Sequence, residues 1–106
     1  GGDLNVYPRP DEPLPEQNTD QLKPLYDANL LNVYDALITH NPSGAYSYVY
    51  KGQAQTLDHL FLSPSLFRYF TAATVAHLNA DHSMAPDNSH YYGASDHDPI
   101  VVKFKF

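Results

Sequence analysis

Residues 95–106 read Ser-Asp-His-Asp-Pro-Ile-Val-Val-Lys-Phe-Lys-Phe, and from Ile100 onward an apolar side chain occupies every second position. This period is typical of a β-strand that buries one face. Asp96 and His97 stand directly before the strand, where a rigid scaffold can aim ionisable side chains into a cleft. The end of the chain therefore predicts a sheet with polar, ionisable groups at one edge.

Three segments upstream also have the composition of strands. Tyrosines alternate with smaller residues at 46–50, an apolar run covers 56–63, and 71–79 is rich in Thr, Ala and Val. Between the last two segments, the Ser-Pro-Ser sequence at 63–65 is typical of the start of a helix. It predicts a short helical turn at 66–69.

The N-terminal part of the chain is rich in proline. Four of the nine prolines fall between positions 8 and 15, which predicts an extended surface loop because proline disfavours both sheet ladders and helix interiors. Thr19 or Asp20 is then expected to cap a helix that ends near Asn29. The segment 30–38 is dense in apolar residues but mixed in period, so helix and strand both stay open there.

A second polar region covers residues 80–95, which are mostly Asp, His, Ser, Asn, Gly and Pro and offer almost nothing to bury. Long loops of this kind often serve function. The chain as a whole therefore reads as a strand, a helix and three or four further strands joined by polar loops. This order predicts an α+β fold built on a sheet layer.

The charge balance restricts the classes of function. Twelve acidic against six basic residues give a net charge of −6, which argues against nucleic-acid binding through a basic surface alone. A polyanionic substrate would therefore need a metal ion. The absence of cysteine excludes disulfides, zinc–thiolate sites and thiol nucleophiles. No run approaches the roughly 18 apolar residues of a membrane span, so none is expected.

Three clusters place ionisable groups at the edges of apolar segments. They are residues 2–5, 57–59 and 95–99. Asp58 lies inside an apolar run, so its carboxylate must be paired or face a polar site, and a histidine is the expected partner. Alternatively, Asp58 caps a turn or pairs with Lys51 or Arg68.

The other two clusters each have a chemical and a structural interpretation. Asp96 and His97 suit a metal ligand beside a base, and an Asx turn before Pro99 is the alternative. Asp3 and Asn5 would share one face of a strand end and contact a phosphate and its attacking water. Alternatively, this pair only ends the strand.

The other polar and aromatic side chains have no partner that the sequence identifies. His40, His77, His82 and His90 are expected on the surface, and of these only the loop pair His82 and His90 is a candidate to meet substrate or metal. For the loop pair Tyr91-Tyr92, packing against the domain is favoured over stacking on a base.

Taken together, the three clusters resemble the C-terminal half of the DNase I-like endonuclease/exonuclease/phosphatase superfamily. The motifs are Gly2-Asp3-Leu4-Asn5, Leu57-Asp58-His59-Leu60-Phe61-Leu62-Ser63 and Ser95-Asp96-His97-Asp98-Pro99-Ile100. Within the superfamily, two further stretches are most similar to secreted bacterial nucleases. They are Tyr46-Ser47-Tyr48-Val49-Tyr50-Lys51-Gly52-Gln53 and Asn79-Ala80-Asp81. The resemblance covers nearly the whole chain.

The resemblance implies half of a DNase I-like two-layer β-sandwich with a flanking helix. Residues 1–106 would be the C-terminal portion of a single domain whose N-terminal half is absent. The implied activity is metal-dependent hydrolysis of phosphodiesters by a hydrolase of the nuclease type, acting on DNA or RNA. The implied location is that of the similar bacterial proteins, extracellular or periplasmic.

The resemblance also implies roles for individual residues. His97 would be the general base that deprotonates the attacking water, and Asp58 would be the carboxylate that orients its imidazole. Asp3 and Asn5 would position the water and the phosphate. Asp96, together with Asp3, would bind a hard, oxygen-liganded cation such as Mg²⁺, Mn²⁺ or Ca²⁺.

The chain also departs from the superfamily. The N-terminal half of such proteins supplies a metal-binding Glu, a phosphate-contacting Asn and a further catalytic His, whereas Glu12 and Glu16 here fall in the proline-rich loop. At the position of His59 several members of the superfamily have Tyr or Arg, so the resemblance assigns His59 no contact with the substrate or the leaving group. The chain is therefore expected to be inactive or severely impaired alone, and to associate with the missing half or a second copy.

Two other functions stay open at this point. A lipid or inositol phosphatase or phosphodiesterase of the same superfamily would share the arrangement of Asp58, Asp96 and His97. A non-catalytic or incomplete module would use the acidic end to bind cations or a partner protein. Turnover that depends on a metal would separate this module from the enzymes.

Overall fold

Short helices and antiparallel pairs of strands build the protein, seen in a computed structural model that describes residues 1–8, 21–82, 89–90 and 93–106. The strands are β1 (Gly2–Asp3), β2 (Leu31–Asn32), β3 (Tyr48–Tyr50), β4 (Gln53–Gln55), β5 (Asp58–His59), β6 (Phe61–Leu62), β7 (Phe70–Val75) and β8 (Ile100–Phe104). The α-helices are α1 (Lys23–Asp27), α2 (Tyr34–His40) and α3 (Pro64–Phe67), and 3₁₀ turns cover Pro42–Gly44 and Ala80–His82. Strands pair as β1–β5, β2–β6, β3–β4 and β7–β8. The predicted α+β class is confirmed.

The C-terminal strand has the alternation that the sequence predicts. β8 pairs antiparallel with β7 in a register that places Ile100 opposite Val75. Ile100 and Val102 are half-buried and pack on the apolar core, whereas Val101 and Lys103 are exposed. Because β8 is fixed along one face, the residues directly before it are held at a defined place at the end of the sheet.

The apolar core is small and lies between α2 and the strands. Its buried members are Val33, Leu37, Ala45, Leu62 and Val75. Fully burying a side chain such as Val or Leu stabilises a fold by about 1.5–3 kcal/mol. The core therefore ties α2, β6 and β7 together.

The apolar residues of segment 30–38 follow no single period because the segment passes from a strand into a helix within a few residues. Leu31 and Asn32 form β2, and α2 begins at Tyr34 after the N-cap residue Val33. The backbone N–H of Val33 donates to the carbonyl of Leu60 at 2.9 Å. A segment that contains a strand and the first turns of a helix cannot show a single period.

The predicted serine cap is confirmed. The Ser63 hydroxyl oxygen accepts from the backbone N–H of Leu66 at 3.3 Å. The helix that follows, α3, begins at Pro64, earlier than the predicted start at residue 66. Proline fits this first helical position because its missing N–H would have no partner there and its φ is already helical.

The predicted cap of α1 is wrong, and its predicted end is confirmed. α1 begins at Lys23 with Leu22 at its N-cap position, without a side-chain hydrogen bond. Thr19 and Asp20 lie outside the described residues and precede the cap position. Asn29 has a φ of 60°, the left-handed conformation with which asparagine commonly ends a helix.

Ser47 joins three parts of the chain that lie beside different strand pairs. Its side chain is fully buried, at 0 % exposure. Its carbonyl accepts from the N–H of Asp98 at 2.7 Å. Its hydroxyl oxygen lies 3.4 Å and 3.3 Å from the N–H groups of Leu57 and Asp58, which donate to it. Ser47 therefore sets β5 and the segment before β8 side by side.

In the part of the chain that the structure describes, no helix has the length and apolar character needed to cross a membrane.

Candidate functional site

Strand pairing and the Ser47 junction bring one member of each of the three sequence clusters together. The register of β1 with β5 places Asp3 opposite Asp58, and an isolated bridge places His97 opposite Tyr48. Donor atoms of Asp3, Asp58 and His97 all lie within 4.8 Å of one another. We call these three residues the Asp-Asp-His cluster.

Asp58 and His97 form a hydrogen-bonded pair. Nδ1 of His97 lies 2.7 Å from Oδ2 of Asp58. Because an ionised carboxylate can only accept, Nδ1 carries the proton that it donates to Asp58, and Nε2 of the neutral ring keeps its lone pair. Nε2 lies 3.9 Å from Oδ2 of Asp3. Asp58 thus has a histidine partner, as expected, rather than Lys51 or Arg68.

The imidazole of His97 is held on several sides. It stacks on the ring of Tyr48, with 4.6 Å between centroids and 25° between planes. The backbone N–H of His97 donates to Oγ of Ser95 at 3.0 Å, and its carbonyl accepts from Nδ2 of Asn79 at 2.8 Å. The ring therefore has a fixed orientation in which Nε2 points toward Asp3.

The surroundings raise the pKa of His97 above its ordinary value. Burial lowers this pKa, but the hydrogen bond with Asp58 and the negative charges of Asp58, Asp3 and Asp96 raise it by more. The imidazole is thus a stronger base than a solvent-exposed histidine. A positioned imidazole in its neutral form can take a proton from water as a general base.

We expect Asp58→Asn to lower the pKa of His97. The substitution removes both the charge-assisted hydrogen bond and the nearest negative charge, and both of these favour the imidazolium. The measurement is an NMR titration of the His97 ring protons against pH, in EDTA so that no metal competes for the ring. Asp27→Asn, in an exposed carboxylate paired with Lys23, is the control and should leave the titration unchanged. A His97 pKa that stays the same or rises in Asp58→Asn would contradict this account.

Asn5 lies beyond β1, so it does not share a strand face with Asp3, and the alternative that this pair ends the strand is confirmed. Asn5 has a φ of 53° and follows β1, which ends at Asp3. Its N–H donates to Oδ1 of Asp3 at 2.9 Å, and its Nδ2 donates to Oδ2 at 3.2 Å. The two residues form a turn in which Asn5 orients the Asp3 carboxylate. The predicted contact of Asn5 with a phosphate stays a prediction.

Asp96 is half-buried and lies outside the Asp-Asp-His cluster. Its charge nevertheless acts on His97, where it is one of the groups that raise the pKa. Its expected role as a metal ligand stays a prediction. Asp58, expected only to orient His97, is also placed to offer a carboxylate oxygen to a cation.

The donor set of the Asp-Asp-His cluster fits a hard divalent cation. Asp3 and Asp58 supply carboxylate oxygens, the ligands that Mg²⁺, Mn²⁺ and Ca²⁺ prefer. Such cations take about six or more ligands, and they commonly complete the set with water and substrate oxygens. The opposed carboxylates of β1 and β5 would also repel each other less with a cation between them. The residues present therefore fit the implied metal.

A pocket of about 240 Å³ opens beside the cluster. It is lined by Gly1 and Gly2, by Asp58, His59 and Leu60, and by Asp98, Pro99 and Ile100. The pocket runs along β1 and β5 up to the start of β8. A substrate group bound there would contact Asp58 at its edge.

His77 is exposed, as expected, but it has partners that the sequence did not identify. Its side chain is 27 % exposed and stacks on Tyr46 at 4.3 Å between centroids. Nδ1 of His77 lies 2.9 Å from Oδ2 of Asp98, and Nε2 lies 3.1 Å from the carbonyl of Gly44. His77 thus joins the segment after β7 to the 3₁₀ turn after α2.

Asp98 is the most important residue that the sequence interpretation left without a role. It is 1 % exposed, and its Oδ1 accepts from the backbone N–H groups of Leu78, Asn79 and Ala80 at 2.9, 2.7 and 3.1 Å. Burial raises its pKa, but these hydrogen bonds and the one from His77 outweigh burial and lower the pKa below its ordinary value. A buried carboxylate with several N–H partners stays ionised.

His59 is also buried, at 2 % exposure, and belongs to a network that holds the N-terminal segment. Its Nε2 lies 2.7 Å from the carbonyl of Val6, and its Nδ1 lies 3.3 Å from Nδ2 of Asn32. Asn32 also donates to the hydroxyl of Tyr26, which donates to the carbonyl of Pro8. The network fits a neutral His59 with its proton on Nε2.

We expect His59→Phe to lower the free energy of unfolding by about 1–3 kcal/mol, because the phenyl ring makes no hydrogen bond to the buried Asn32 side chain or to the half-buried Val6 carbonyl. Urea-induced unfolding measures the change. His40→Phe is the control, since His40 is exposed at the end of α2. Equal stability of His59→Phe and the unsubstituted chain would show that the network contributes nothing.

The remaining residues singled out in the sequence fall into two groups. His40 and His82 are exposed, and so is His90, whose Nδ1 lies 2.7 Å from the hydroxyl of Ser89. Tyr91-Tyr92, Glu12 and Glu16 lie outside the described residues.

Comparison with known proteins adds no relative: no protein family model, no curated protein and no solved structure matches this chain.

Proposed function

We propose that this protein hydrolyses phosphodiesters with the help of a divalent metal ion, and that nucleic acid is its substrate. The observation that carries the proposal is the His97–Asp58 pair at 2.7 Å, with Nε2 of His97 turned toward the Asp3 carboxylate. This arrangement combines a base, a carboxylate that orients it and a cation-binding group in one place. Hydrolysis of a phosphodiester requires an activated water and stabilisation of negative charge on phosphoryl oxygens.

His97 acts as the general base in this proposal. Nε2 has a free lone pair because Nδ1 donates to Asp58, so Nε2 takes a proton from the attacking water. Asp58 fixes the tautomer and stabilises the imidazolium that forms, as the carboxylate does in other histidine–carboxylate pairs. The Tyr48 stack and the backbone hydrogen bonds keep the ring in place during the transfer.

The acidic residues account for the metal requirement. Asp3 and Asp58 would hold the cation, which would stabilise the developing charge on the phosphoryl oxygens. Asn5 keeps the Asp3 carboxylate in position through its two hydrogen bonds. A bound cation also allows a protein with a net charge of −6 to bind a polyanion.

We further propose that these elements are the C-terminal half of a DNase I-like sandwich. The chain measures 46 × 43 × 20 Å, with a radius of gyration of 15.1 Å, against about 13 Å for a compact domain of 100 residues. A plate of this thickness fits one layer of a two-layer fold. The second layer, from the N-terminal half or from a second copy, would cover one face and complete the active site.

The test is cleavage of supercoiled plasmid DNA and of an RNA of mixed sequence, in Mg²⁺, in Mn²⁺ and in EDTA. It uses the 106-residue chain and a longer form that also contains an N-terminal half. We expect cleavage by the longer form with metal, none in EDTA, and little or none by the chain alone. Phosphate release from an inositol polyphosphate without nicking would identify a phosphatase instead. Metal binding without turnover on any of these substrates would identify a non-catalytic module.

A further inference from the structure

A row of near-parallel rings leads away from the Asp-Asp-His cluster along β3. The imidazole of His97 stacks on Tyr48, and Tyr48 stacks beside Tyr50 with 6.4 Å between centroids and 15° between planes. Strand geometry explains the row, because side chains two positions apart leave a strand on the same face. We call Tyr48 and Tyr50 the tyrosine row.

The outer end of the tyrosine row is open and carries a positive charge. Tyr50 is 50 % exposed. Lys51, in the turn that leads to β4, places Nζ 5.3 Å from the centroid of the Tyr50 ring. Lys51 is exposed, so its ammonium group can leave the ring and contact an anionic partner. The inner end, at Asp3 and Asp58, is negative.

We propose that the tyrosine row and Lys51 bind single-stranded nucleic acid beside the cluster. A base stacks on Tyr50, and the ammonium group of Lys51 contacts a backbone phosphate of the same strand. An aromatic ring next to a basic side chain is the combination by which proteins hold single strands without sequence preference. The inference rests on the proposed function, whose substrate class it narrows to unpaired strands.

Two features favour a single strand over other occupants. The stacking face of a base is free only when the base is unpaired and unstacked, as in single-stranded DNA or RNA. The row is also continuous with His97, so a strand that stacks on Tyr50 continues toward the residues proposed to act on its phosphodiester bond. A duplex offers phosphates to Lys51 but keeps its bases stacked on one another.

The test is binding, measured by fluorescence anisotropy on the 106-residue chain in Mg²⁺, where the cation is present and the chain alone is expected to cleave little or not at all. The probes are a labelled oligothymidylate of about 8 nucleotides, a length within the range that single-strand-binding sites cover, an abasic oligonucleotide of equal length, and a duplex of equal length. We expect the oligothymidylate to bind more tightly than either of the others. Tyr50→Ala should weaken its binding by about 5- to 150-fold, the effect of losing one base–aromatic stack. It should not change the binding of the abasic strand.

Two further variants separate the ring from the charge. Tyr50→Phe keeps the ring and should retain the affinity of the unsubstituted chain. Lys51→Gln should weaken the oligothymidylate and the abasic strand alike, and lower the slope of log K against log salt by about 0.7, the value for one phosphate contact on a single strand. Lys23→Gln, in a lysine paired with Asp27 on α1, should change neither. Thermal unfolding of each variant confirms that it is folded.

Several results would overturn the inference: no binding of oligothymidylate, equal binding of the base-bearing and abasic strands, equal or tighter binding of the duplex, or an unchanged affinity in Tyr50→Ala. These outcomes are distinct from a failure of the proposed function. Binding with this dependence on Tyr50 but no cleavage in Mg²⁺ or Mn²⁺ would refute hydrolysis and keep the single-strand site. Cleavage of single strands with a KM that Tyr50→Ala leaves unchanged would keep the proposed hydrolysis and refute the single-strand site.

Discussion

Replacing His97 with alanine is expected to lower the rate of phosphodiester cleavage by about 10²- to 10⁴-fold, the range that a positioned general base supplies. The reason is that Nε2 of His97 is the basic atom that the Asp58 hydrogen bond leaves free and that faces Asp3. The measurement is the initial rate of plasmid nicking at saturating substrate with Mg²⁺, in the form of the protein that contains an N-terminal half. The control is His40→Ala, in an exposed histidine on α2, which should leave the rate unchanged.

Asp58→Asn tests whether the pair acts as a unit. The asparagine amide can donate to Nδ1 of His97, which would move the ring proton to Nε2 and remove the lone pair that accepts the proton from water. A wrong tautomer of this kind is as damaging in other histidine–carboxylate pairs as loss of a catalytic group. We therefore expect Asp58→Asn to slow His97→Ala by much less than it slows the unsubstituted protein, the remaining loss being that of its oxygen for the cation. Additive losses in the double variant would show that Asp58 acts independently of His97, for example only through a metal.

The parts of the fold that follow from local patterns could be predicted from the sequence. The alternation from Ile100 to Phe104 predicts the buried face of β8, and the Ser-Pro-Ser sequence at 63–65 predicts a capped helical turn, which begins two residues earlier than expected. These features depend on residues close together in the chain. The position of α1 could not be derived in the same way, because Leu22 occupies the cap position without a capping side chain.

The pairing of Asp58 with His97 could be predicted although 39 positions separate them. A carboxylate inside an apolar run requires a partner, which predicts a histidine in general, and the resemblance to the superfamily implies that this histidine is His97. The relation of Asn5 to Asp3 could not be predicted, because it depends on a left-handed backbone conformation at Asn5. An asparagine adopts this conformation more readily than most residues, but the sequence does not show which asparagine does so.

Asp98→Ala is expected to lower the free energy of unfolding by at least about 1–3 kcal/mol, the usual cost of leaving one buried hydrogen-bonding group without its partner. The alanine would leave the N–H groups of Leu78, Asn79 and Ala80 without their acceptor, and His77 without its carboxylate. A domain of this size has a total stability of about 5–15 kcal/mol, so the loss is a large fraction. Urea-induced unfolding at neutral pH measures it.

The lowered pKa of Asp98 also makes the free energy of unfolding depend on pH. Because this pKa is lowered from 3.8 in the folded protein, the ionised carboxylate stabilises the fold at all pH values above the unfolded pKa. The contribution is lost as the pH falls from there through the folded pKa. We expect the unfolding free energy to fall below about pH 4 and to fall less steeply in Asp98→Asn, which has no group to titrate at this position.

Comparing Asp98→Asn with Asp98→Ala separates the charge from the hydrogen bonds. The asparagine carbonyl can still accept from the N–H groups of Leu78, Asn79 and Ala80, and its amide can donate to Nδ1 of His77 if the His77 proton lies on Nε2. Asp98→Asn should therefore retain more stability than Asp98→Ala. Equal losses would show that the negative charge, rather than the number of hydrogen bonds, holds this segment. Because Nδ2 of Asn79 donates to the carbonyl of His97, a loosened segment would also free His97 to move, and cleavage would fall in Asp98→Ala even where the protein stays folded.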